Sequence, residues 1–242
     1  MPTIVISGAR TGLGLEHIRQ LSTNPSNTVL ALVRSLAGDI TKLREMQCTS
    51  SAKIHILECD TSSPASISAL PSVISSLSPP IAPIDVLINN AAILTVYAPP
   101  MTSLTLTPES LSAHMTTNVL GPALLTAILH PLLSPKAKII NITSGLASKT
   151  LVGNKTITAV APAYAISKAA LNMLSVYQAQ QVGEERVVIV LDPGHCKTEM
   201  GGWDNAVLEP EDSVKGIWKI IGRLGKEDAG RFFWYDGTEL PW

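Results

Sequence analysis

The sequence has few charged residues, and this shortage excludes two classes of partner. Charged residues make up 15% of the 242 residues, and the formal net charge is −1. No basic stripe runs along the chain, so we expect no nucleic-acid partner and no attraction to a membrane surface. No apolar run approaches the length that crosses a bilayer. With 45% hydrophobic residues, the composition is typical of a soluble globular protein.

Cysteines are also scarce. The three that are present, Cys48, Cys59 and Cys196, form no Cys-x-x-Cys pair and cannot all pair with one another, which suits a reducing compartment. An apolar run begins almost at Met1 and leaves no room for a signal peptide, so we expect a cytoplasmic protein. His195 stands beside Cys196, but no third ligand follows at a recognisable spacing, so no metal site is predicted.

Seven short apolar runs alternate with helical patterns along the chain. Strands that are buried on both faces and separated by helices are typical of a mostly parallel, doubly wound sheet. We therefore predict an α/β Rossmann fold, a seven-stranded sheet flanked by helices, as one domain over residues 1–242. The predicted strands are residues 4–6, 28–33, 53–57, 86–89, 137–142, 186–191 and 231–235. Helices are predicted to begin near Gly12, Leu36, Pro64, Pro108, Asn118 and Pro162.

A glycine-rich turn lies between the first predicted strand and the first predicted helix. Such a turn lets the backbone approach a pyrophosphate, and the helix N-terminus that follows offers N–H groups and the positive end of its dipole. Its position predicts a dinucleotide site. The segment reads Ser7-Gly8-Ala9-Arg10-Thr11-Gly12-Leu13-Gly14.

Tyr164 and Lys168 are four residues apart in a predicted helix. Side chains at this spacing share a helix face, with Cβ atoms about 5 to 6 Å apart. A free tyrosine titrates at about 10, so acid–base work near neutral pH needs a shift of about three units, roughly 4 kcal/mol. A positive charge about 4 Å away supplies that much at an effective dielectric constant of ~20. We therefore expect Lys168 to lower the pKa of Tyr164, although such pairs are also common on exposed helices.

With both motifs in view, the chain resembles the short-chain dehydrogenase/reductase family over essentially its whole length. The family carries Gly-x-x-x-Gly-x-Gly near its N-terminus and Tyr-x-x-x-Lys further on. The segment Asn89-Asn90-Ala91-Ala92 is similar to the family's Asn-Asn-Ala-Gly element, with Ala92 replacing the usual glycine. Residues 197–202 and 233–237 resemble the C-factor and sniffer-like carbonyl reductase branch.

The resemblance implies four catalytic residues. Ser144 would bind the substrate oxygen, and Tyr164 would donate a proton to it. Lys168 would bind the nicotinamide ribose, and Asn118 would hold a water that connects Lys168 to solvent. The stretch from Ser144 to Tyr164 is longer than is usual in the family. We therefore expect a large substrate loop at about 146–162, with Ser148 as the alternative serine.

The predicted cofactor is NADP(H), because Arg34 follows the second predicted strand, where an acidic residue would bind a free ribose 2′-hydroxyl. A guanidinium there suits a 2′-phosphate. Thr11 stands where NADP-preferring relatives more often carry a basic residue, so NADH stays an alternative. Asp60 either contacts adenine or caps a helix. The predicted cofactor contacts are Gly8, Arg10, Thr11, Gly12, Leu13, Gly14, Arg34, Ser35, Asp60, Thr61, Asn90, Ala91, Ala92, Asn118, Tyr164, Lys168, Pro193, Gly194 and Thr198.

The predicted function is NADPH-dependent reduction of a small-molecule ketone or aldehyde. Two alternatives remain: a cofactor-binding protein without hydride transfer, acting as a sensor, a scaffold or the catalyst of a non-redox step, and an NAD-dependent alcohol dehydrogenase. The glycine-rich segment 194–209 lacks periodicity and predicts a mobile lid. The predicted substrate contacts are Ser144, Tyr164, His195, Cys196, Met200, Trp203, Tyr97 and Leu151.

A homodimer is a further prediction. The resemblance implies pairing through the helix that carries Tyr164. Leu171, Leu174 and Tyr177 are expected on its outer face.

Overall fold

The computed structural model describes residues 1–81, 83–95 and 100–242. Its described residues form one sheet of seven parallel strands in the order β3-β2-β1-β4-β5-β6-β7. The α/β prediction is confirmed, and every strand overlaps its predicted segment. The strands are β1 Thr3–Ser7, β2 Thr28–Val33, β3 Lys53–Glu58, β4 Ile84–Asn89, β5 Leu133–Ile142, β6 Val187–Asp192 and β7 Phe232–Trp234.

Helices connect the strands, and four of the six predicted starts agree with the structure. The helices are α1 Gly12–Leu21, α2 Thr41–Thr49, α3 Pro64–Ser75, α4 Pro108–Met115, α5 Gly121–Leu129, α6 Lys149–Gly153, α7 Pro162–Gln181 and α8 Pro210–Arg223. A π-helical turn, Thr116–Leu120, joins α4 to α5. Short 3-10 turns occur at His130–Leu132, Gly145–Ala147, Trp203–Asn205 and Lys226–Asp228.

Two predicted helix starts are wrong. The helix expected near Leu36 begins at Thr41, because side chains before it bond the local backbone: Ser35 Oγ accepts the N–H of Ala37, and Asp39 Oδ1 accepts the N–H of Thr41. Such bonds compete with helix formation. The helix expected near Asn118 begins at Gly121, since Asn118 lies in the π-helical turn.

Side chains and prolines fix the starts of several helices. Ser63 Oγ accepts the N–H of Ser66 at the start of α3, and Thr107 Oγ1 accepts the N–H of Ser110 at the start of α4. A proline occupies the first turn of both helices, where its missing N–H does no harm. Pro210 likewise occupies the first turn of α8, a helix that is not among the predicted ones.

The core lies on both faces of the sheet. Alternate strand residues such as Ile4 and Val5 are buried on opposite faces, in contact with different helices. Helices α1, α2 and α8 cover one face, and α3 and α5 cover the other. The carboxyl ends of the parallel strands meet at one edge, and the strand order reverses between β1 and β4, which is where such sheets bind ligands.

The outer face of α7 differs from its prediction. Leu171 is buried in the core, and Leu174 is half-buried, so Leu171 is unavailable for the predicted dimer contact. The exposed apolar side chains on this helix are Ile166, Met173 and Tyr177, the last two 60% and 57% exposed.

The described residues contain neither a membrane-crossing helix nor a cluster of metal-ligating side chains. None of their helices combines the length and the apolar character that a membrane crossing requires. Within the same residues, no group of three or more histidine, cysteine or carboxylate side chains could hold a metal ion.

Candidate active site

The glycine turn between β1 and α1 contains close contacts that only glycine permits. Gly8 and Gly12 have φ angles of +68° and +55°. A Cβ atom on Gly14 would lie 2.1 Å from the Gly8 oxygen, and one on Gly8 would lie 2.9 Å from Ala91 Cα. The turn is therefore pressed against both the start of α1 and the loop after β4.

The loop after β4 braces this turn with hydrogen bonds. Asn90 Nδ2 donates to the main-chain oxygens of Ser7, at 2.9 Å, and Gly8, at 3.3 Å. In return, Ser7 Oγ accepts the N–H groups of Asn90 and Ala91, each at 3.0 Å. The predicted cofactor residues Asn90, Ala91 and Ala92 thus lie beside the glycine turn.

The start of α1 fits an anionic cofactor group. Thr11 is the N-cap residue, yet in this described segment its side chain makes no capping hydrogen bond, and the first turn holds no acidic residue. Helices α3 and α4, by contrast, are capped by Ser63 and Thr107. An uncapped helix N-terminus beside a glycine turn provides N–H donors and a positive dipole end for a pyrophosphate. The residues present therefore fit a dinucleotide.

Positions predicted to contact the adenosine half lie at the ends of β2 and β3. Arg34 is exposed, and Ser35 beside it is half-buried. The Asp60 carboxylate accepts the N–H and the hydroxyl of Ser62, at 2.9 and 2.7 Å. Asp60 therefore shapes the turn that leads into α3, whose N-cap is Ser63 and not Asp60.

The end of β5 and the first turns of α7 bring three predicted catalytic residues together. Tyr164 and Lys168 are both buried, and the Lys168 Nζ lies 5.7 Å from the centre of the Tyr164 ring. Nζ donates a 2.7 Å hydrogen bond to the Ile142 oxygen at the end of β5. Ser144 follows that strand, and its side chain lies close enough to the Tyr164 phenol to lower its pKa.

The charges around these groups differ from the prediction. Burial raises the pKa of Tyr164, the Asp192 carboxylate raises it further, and the neighbouring Ser144 side chain lowers it. Burial lowers the pKa of Lys168 to about 7, against an opposing effect of Asp192. The expected lowering of the Tyr164 pKa by Lys168 is therefore wrong for this structure. The charge that most affects the phenol is negative, and the ammonium is directed to a strand carbonyl.

Asn118 lies buried in the π-helical turn and connects two elements of the site. Its Nδ2 donates to the Ile93 oxygen and to Ser167 Oγ, each at 3.0 Å, and its Oδ1 accepts the Ile93 N–H at 2.8 Å. Its side chain therefore joins the loop after β4 to α7. Because both Nδ2 hydrogens are used, a water bound by Asn118 would have to donate to one of its oxygens.

This arrangement agrees with a known family. The family model described as short chain dehydrogenase matches residues 2–207. The chain belongs to the short-chain dehydrogenase family. It is therefore an oxidoreductase, as the glycine turn and the Tyr-x-x-x-Lys motif predict.

Several proteins resemble this dehydrogenase closely. The C-signal protein of Myxococcus xanthus is 37% identical over 163 residues, which cover 66% of this chain and 93% of that protein. The NADPH-bound carbonyl reductase from chicken fatty liver is 30% identical, with a TM-score of 0.88 over 100% of this chain and 99% of that one. The carbonyl reductase Sniffer of D. melanogaster is 28% identical, with a TM-score of 0.88 over 100% of both chains.

The alternative serine of the dehydrogenase has a different task. Ser148 Oγ accepts the N–H of Leu151, which caps α6, and donates a 2.6 Å hydrogen bond to the Pro241 oxygen. The Thr150 N–H donates to the Trp242 oxygen at 2.9 Å. Ser148 thus holds the predicted substrate loop against the C-terminal segment, and Ser144 is the serine beside Tyr164.

The predicted lid of the dehydrogenase is a loop closed at its base. Lys197 N–H donates to the Leu208 oxygen, and Leu208 N–H donates to the His195 oxygen. The lid reaches the glycine turn, because a Cβ atom on Gly12 would lie 3.4 Å from the Thr198 Cγ2. Its mobility stays a prediction.

The structure does not bring every predicted substrate residue to Tyr164. Cys196 is 4% exposed and donates its thiol to the Pro193 oxygen, and its contact with substrate stays a prediction. Trp203 lines a cavity of about 520 Å³ together with Arg10, Thr11 and Thr198, on the cofactor side. The remaining substrate candidates are His195 and Met200, exposed on the lid, Leu151, half-buried on α6, and Tyr97, which lies outside the described residues.

Two residues of the site, Ile157 and Asp192, have no individual role in the sequence predictions. Ile157 covers the serine turn, since a Cβ atom on Gly145 would lie 2.7 Å from its Cδ1. No sequence pattern indicates this contact. Asp192 accepts a 2.7 Å hydrogen bond from the Gly145 N–H. A carboxylate at the end of a buried strand does carry a signal, because a buried charge requires partners.

Proposed function

We propose that this dehydrogenase reduces ketones or aldehydes with NADPH and that Tyr164 is the proton donor. The observation that carries the proposal is the grouping of Ser144 and Lys168 around the buried Tyr164, with the Lys168 Nζ 5.7 Å from the centre of the Tyr164 ring. The likeness to two carbonyl reductases, one of them NADPH-bound, supports it.

Each side chain then has one task. A bound nicotinamide supplies the hydride to the carbonyl carbon. Ser144 donates a hydrogen bond to the carbonyl oxygen, and Tyr164 gives its phenolic proton to that oxygen. Because burial raises the pKa of Tyr164, the phenol is protonated at neutral pH, as reduction requires. Lys168, with a pKa lowered to about 7, exchanges its proton readily near neutral pH and can return one to the phenolate.

The preference for NADPH rests on Arg34. Its guanidinium is exposed directly after β2, and the nearby Glu58 carboxylate accepts the Leu36 N–H at 2.8 Å. Replacing Arg34 by alanine should raise the KM for NADPH by about 10- to 100-fold, the effect of one charge-assisted hydrogen bond, and leave the KM for NADH unchanged. Arg44, exposed on α2, supplies the matched control Arg44→Ala.

The central experiment follows NADPH absorbance with aromatic aldehydes, diketones and bulky polycyclic ketones. Turnover should disappear in Tyr164→Phe and persist in Tyr177→Phe, which removes an exposed hydroxyl from the same helix. If NADPH binds, as read by its fluorescence, while every carbonyl stays unreduced, the cofactor-binding protein without hydride transfer becomes the better description. Faster turnover of alcohols with NAD would favour the alcohol dehydrogenase.

A homodimer remains part of the proposal. Ile166, Met173 and Tyr177 occupy helical positions i, i+7 and i+11, so their exposed side chains share one stripe of α7. Sedimentation at several concentrations would test pairing. Met173→Glu should shift the equilibrium to monomer.

We also propose a cytoplasmic location for the enzyme. Cys48 is exposed, Cys59 and Cys196 are buried, and all three are free thiols. An exposed free thiol suits a reducing compartment. Imaging of a fluorescent fusion would test this.

A further inference from the structure

The Asp192 carboxylate at the end of β6 links two turns of the active site. Its Oδ2 accepts the Gly145 N–H at 2.7 Å, and its Oδ1 accepts the Gly194 N–H at 2.9 Å. Gly145 directly follows Ser144, and Gly194 begins the predicted lid. Since each oxygen accepts an N–H group, the arrangement favours the ionised carboxylate.

Close packing fixes the position of this carboxylate. A Cβ atom on Gly145 would lie 2.9 Å from Oδ2, and one on Gly194 would lie 2.8 Å from Leu208 Cδ2. Any larger residue at either glycine would have to displace its neighbour. A side chain at Gly145 would therefore crowd the hydrogen bond that Asp192 accepts from this turn.

The carboxylate also faces several titratable groups. Lys168 Nζ donates to the oxygen of Ile142, which is paired with Leu191, the residue before Asp192. The carboxylate interacts electrostatically with Tyr164 and Lys168 on α7 and with His195 and Cys196 in the segment after β6. Lys168 and His195 stabilise its charge, whereas burial opposes it and raises its pKa. In turn, its charge raises the pKa of both Tyr164 and Lys168.

We propose that Asp192 is a positioning residue that ties the Ser144 turn to the Pro193-Gly194 turn and places a half-buried negative charge beside Tyr164 and Lys168. In a reductase this charge favours the protonated donor and the protonated ammonium behind it. The catalytic consequence rests on the proposed function. The effect of Asp192 on the protonation of Lys168 does not depend on that function, and it can be measured without turnover.

Titration of Lys168 by NMR in protein labelled at the lysine Cε carbons tests the charge. The signal is assigned by its loss in Lys168→Met. In Asp192→Asn the midpoint should fall by on the order of one pH unit, because a nearby unit charge has been removed. Asp85→Asn is the matched control, since Asp85 also accepts a backbone N–H, from Thr3 at 2.9 Å, at the opposite edge of the sheet. It should leave the midpoint unchanged.

The rate profile tests the consequence. In Asp192→Asn the loss of kcat/KM at high pH should begin at lower pH, because both protonated groups lose their protons earlier. Gly145→Ala keeps the Asp192 charge but crowds the hydrogen bond between the Gly145 N–H and Asp192. It should therefore lower kcat/KM without changing the pH at which the loss at high pH begins. Asp192→Ser is a second neutral variant should the asparagine protein not fold.

An unchanged Lys168 midpoint in both neutral variants would overturn the proposal and leave Asp192 a structural residue only. An equal shift in Asp85→Asn would overturn it too, since the effect would then not be local. If no carbonyl is reduced by any form of the protein while the Lys168 midpoint falls as expected, the proposed function fails and the electrostatic role of Asp192 stands.

Discussion

Acid should destabilise this protein through His17, a residue of α1 that packs against Trp218 of α8. The His17 ring is completely buried and meets the Trp218 ring edge-on, with their centres 5.8 Å apart. Neither of its ring nitrogens has a hydrogen-bond partner in the described part of the chain. Burial consequently lowers the pKa of His17 to about 3.

The direction of the effect follows from proton binding. A histidine in an unfolded chain titrates at about 6.5. Below that pH, His17 therefore binds a proton in the unfolded state but stays neutral in the folded state. The stability contributed by neutral His17 is complete above about pH 6.5 and is lost as the pH falls toward 3. Each pH unit costs about 1.4 kcal/mol, so acidification from about pH 6.5 to 4.5 should remove 2 to 3 kcal/mol of unfolding free energy.

Urea unfolding at several pH values between about 4.5 and 7.5 would measure this loss. His17→Leu removes the titrating group but retains an apolar side chain of similar size, so its stability should depend much less on pH. His195→Gln changes an exposed histidine and should keep the wild-type slope. If His17→Leu and the wild-type protein lose stability in parallel over this range, the reasoning about His17 is refuted.

Three further predictions concern the site. Gly14→Ala places a Cβ atom 2.1 Å from a main-chain oxygen and should abolish NADPH binding, measured by fluorescence titration, whereas Gly222→Ala, with no atom within 4 Å, should bind normally. Ser148→Ala loses its hydrogen bonds to Leu151 and Pro241, so urea unfolding should show a free energy lower by about 1 to 3 kcal/mol. The same variant should raise the KM for the carbonyl substrate and leave the KM for NADPH unchanged. A raised KM for both would contradict a role confined to the loop. Reduction should slow as the pH rises through about 7, because Lys168 then loses its proton, and a rate independent of pH from about 6 to 9 would contradict this.

Much of the site could be predicted because its signals are local. A separation of four positions places Tyr164 and Lys168 on one face of a helix, and glycines between a strand and a helix indicate a tight phosphate-binding turn. These motifs need no knowledge of distant contacts. The alternating apolar runs predict the strands for the same reason, since each strand is buried on both faces.

The missed features depend on partners far along the chain. Asp192 meets Gly145, and Ser148 meets Pro241, only after the sheet has assembled. The raised pKa of Tyr164 likewise follows from burial and from Asp192, neither of which is visible in the Tyr-x-x-x-Lys spacing. The inward direction of the Cys196 thiol is set by the closed base of the lid.

The hydrogen bonds from Ser148 and Thr150 to the main-chain oxygens of Pro241 and Trp242 make the predicted substrate loop depend on a second, distant segment. Its own residues, 146–162, supply only one part, and the backbone around Pro241 supplies the other. A chimera that receives this loop from a relative without its matching C-terminal segment would combine surfaces that evolved separately. Exchange of substrate preference between such enzymes should therefore require both segments to be transplanted together.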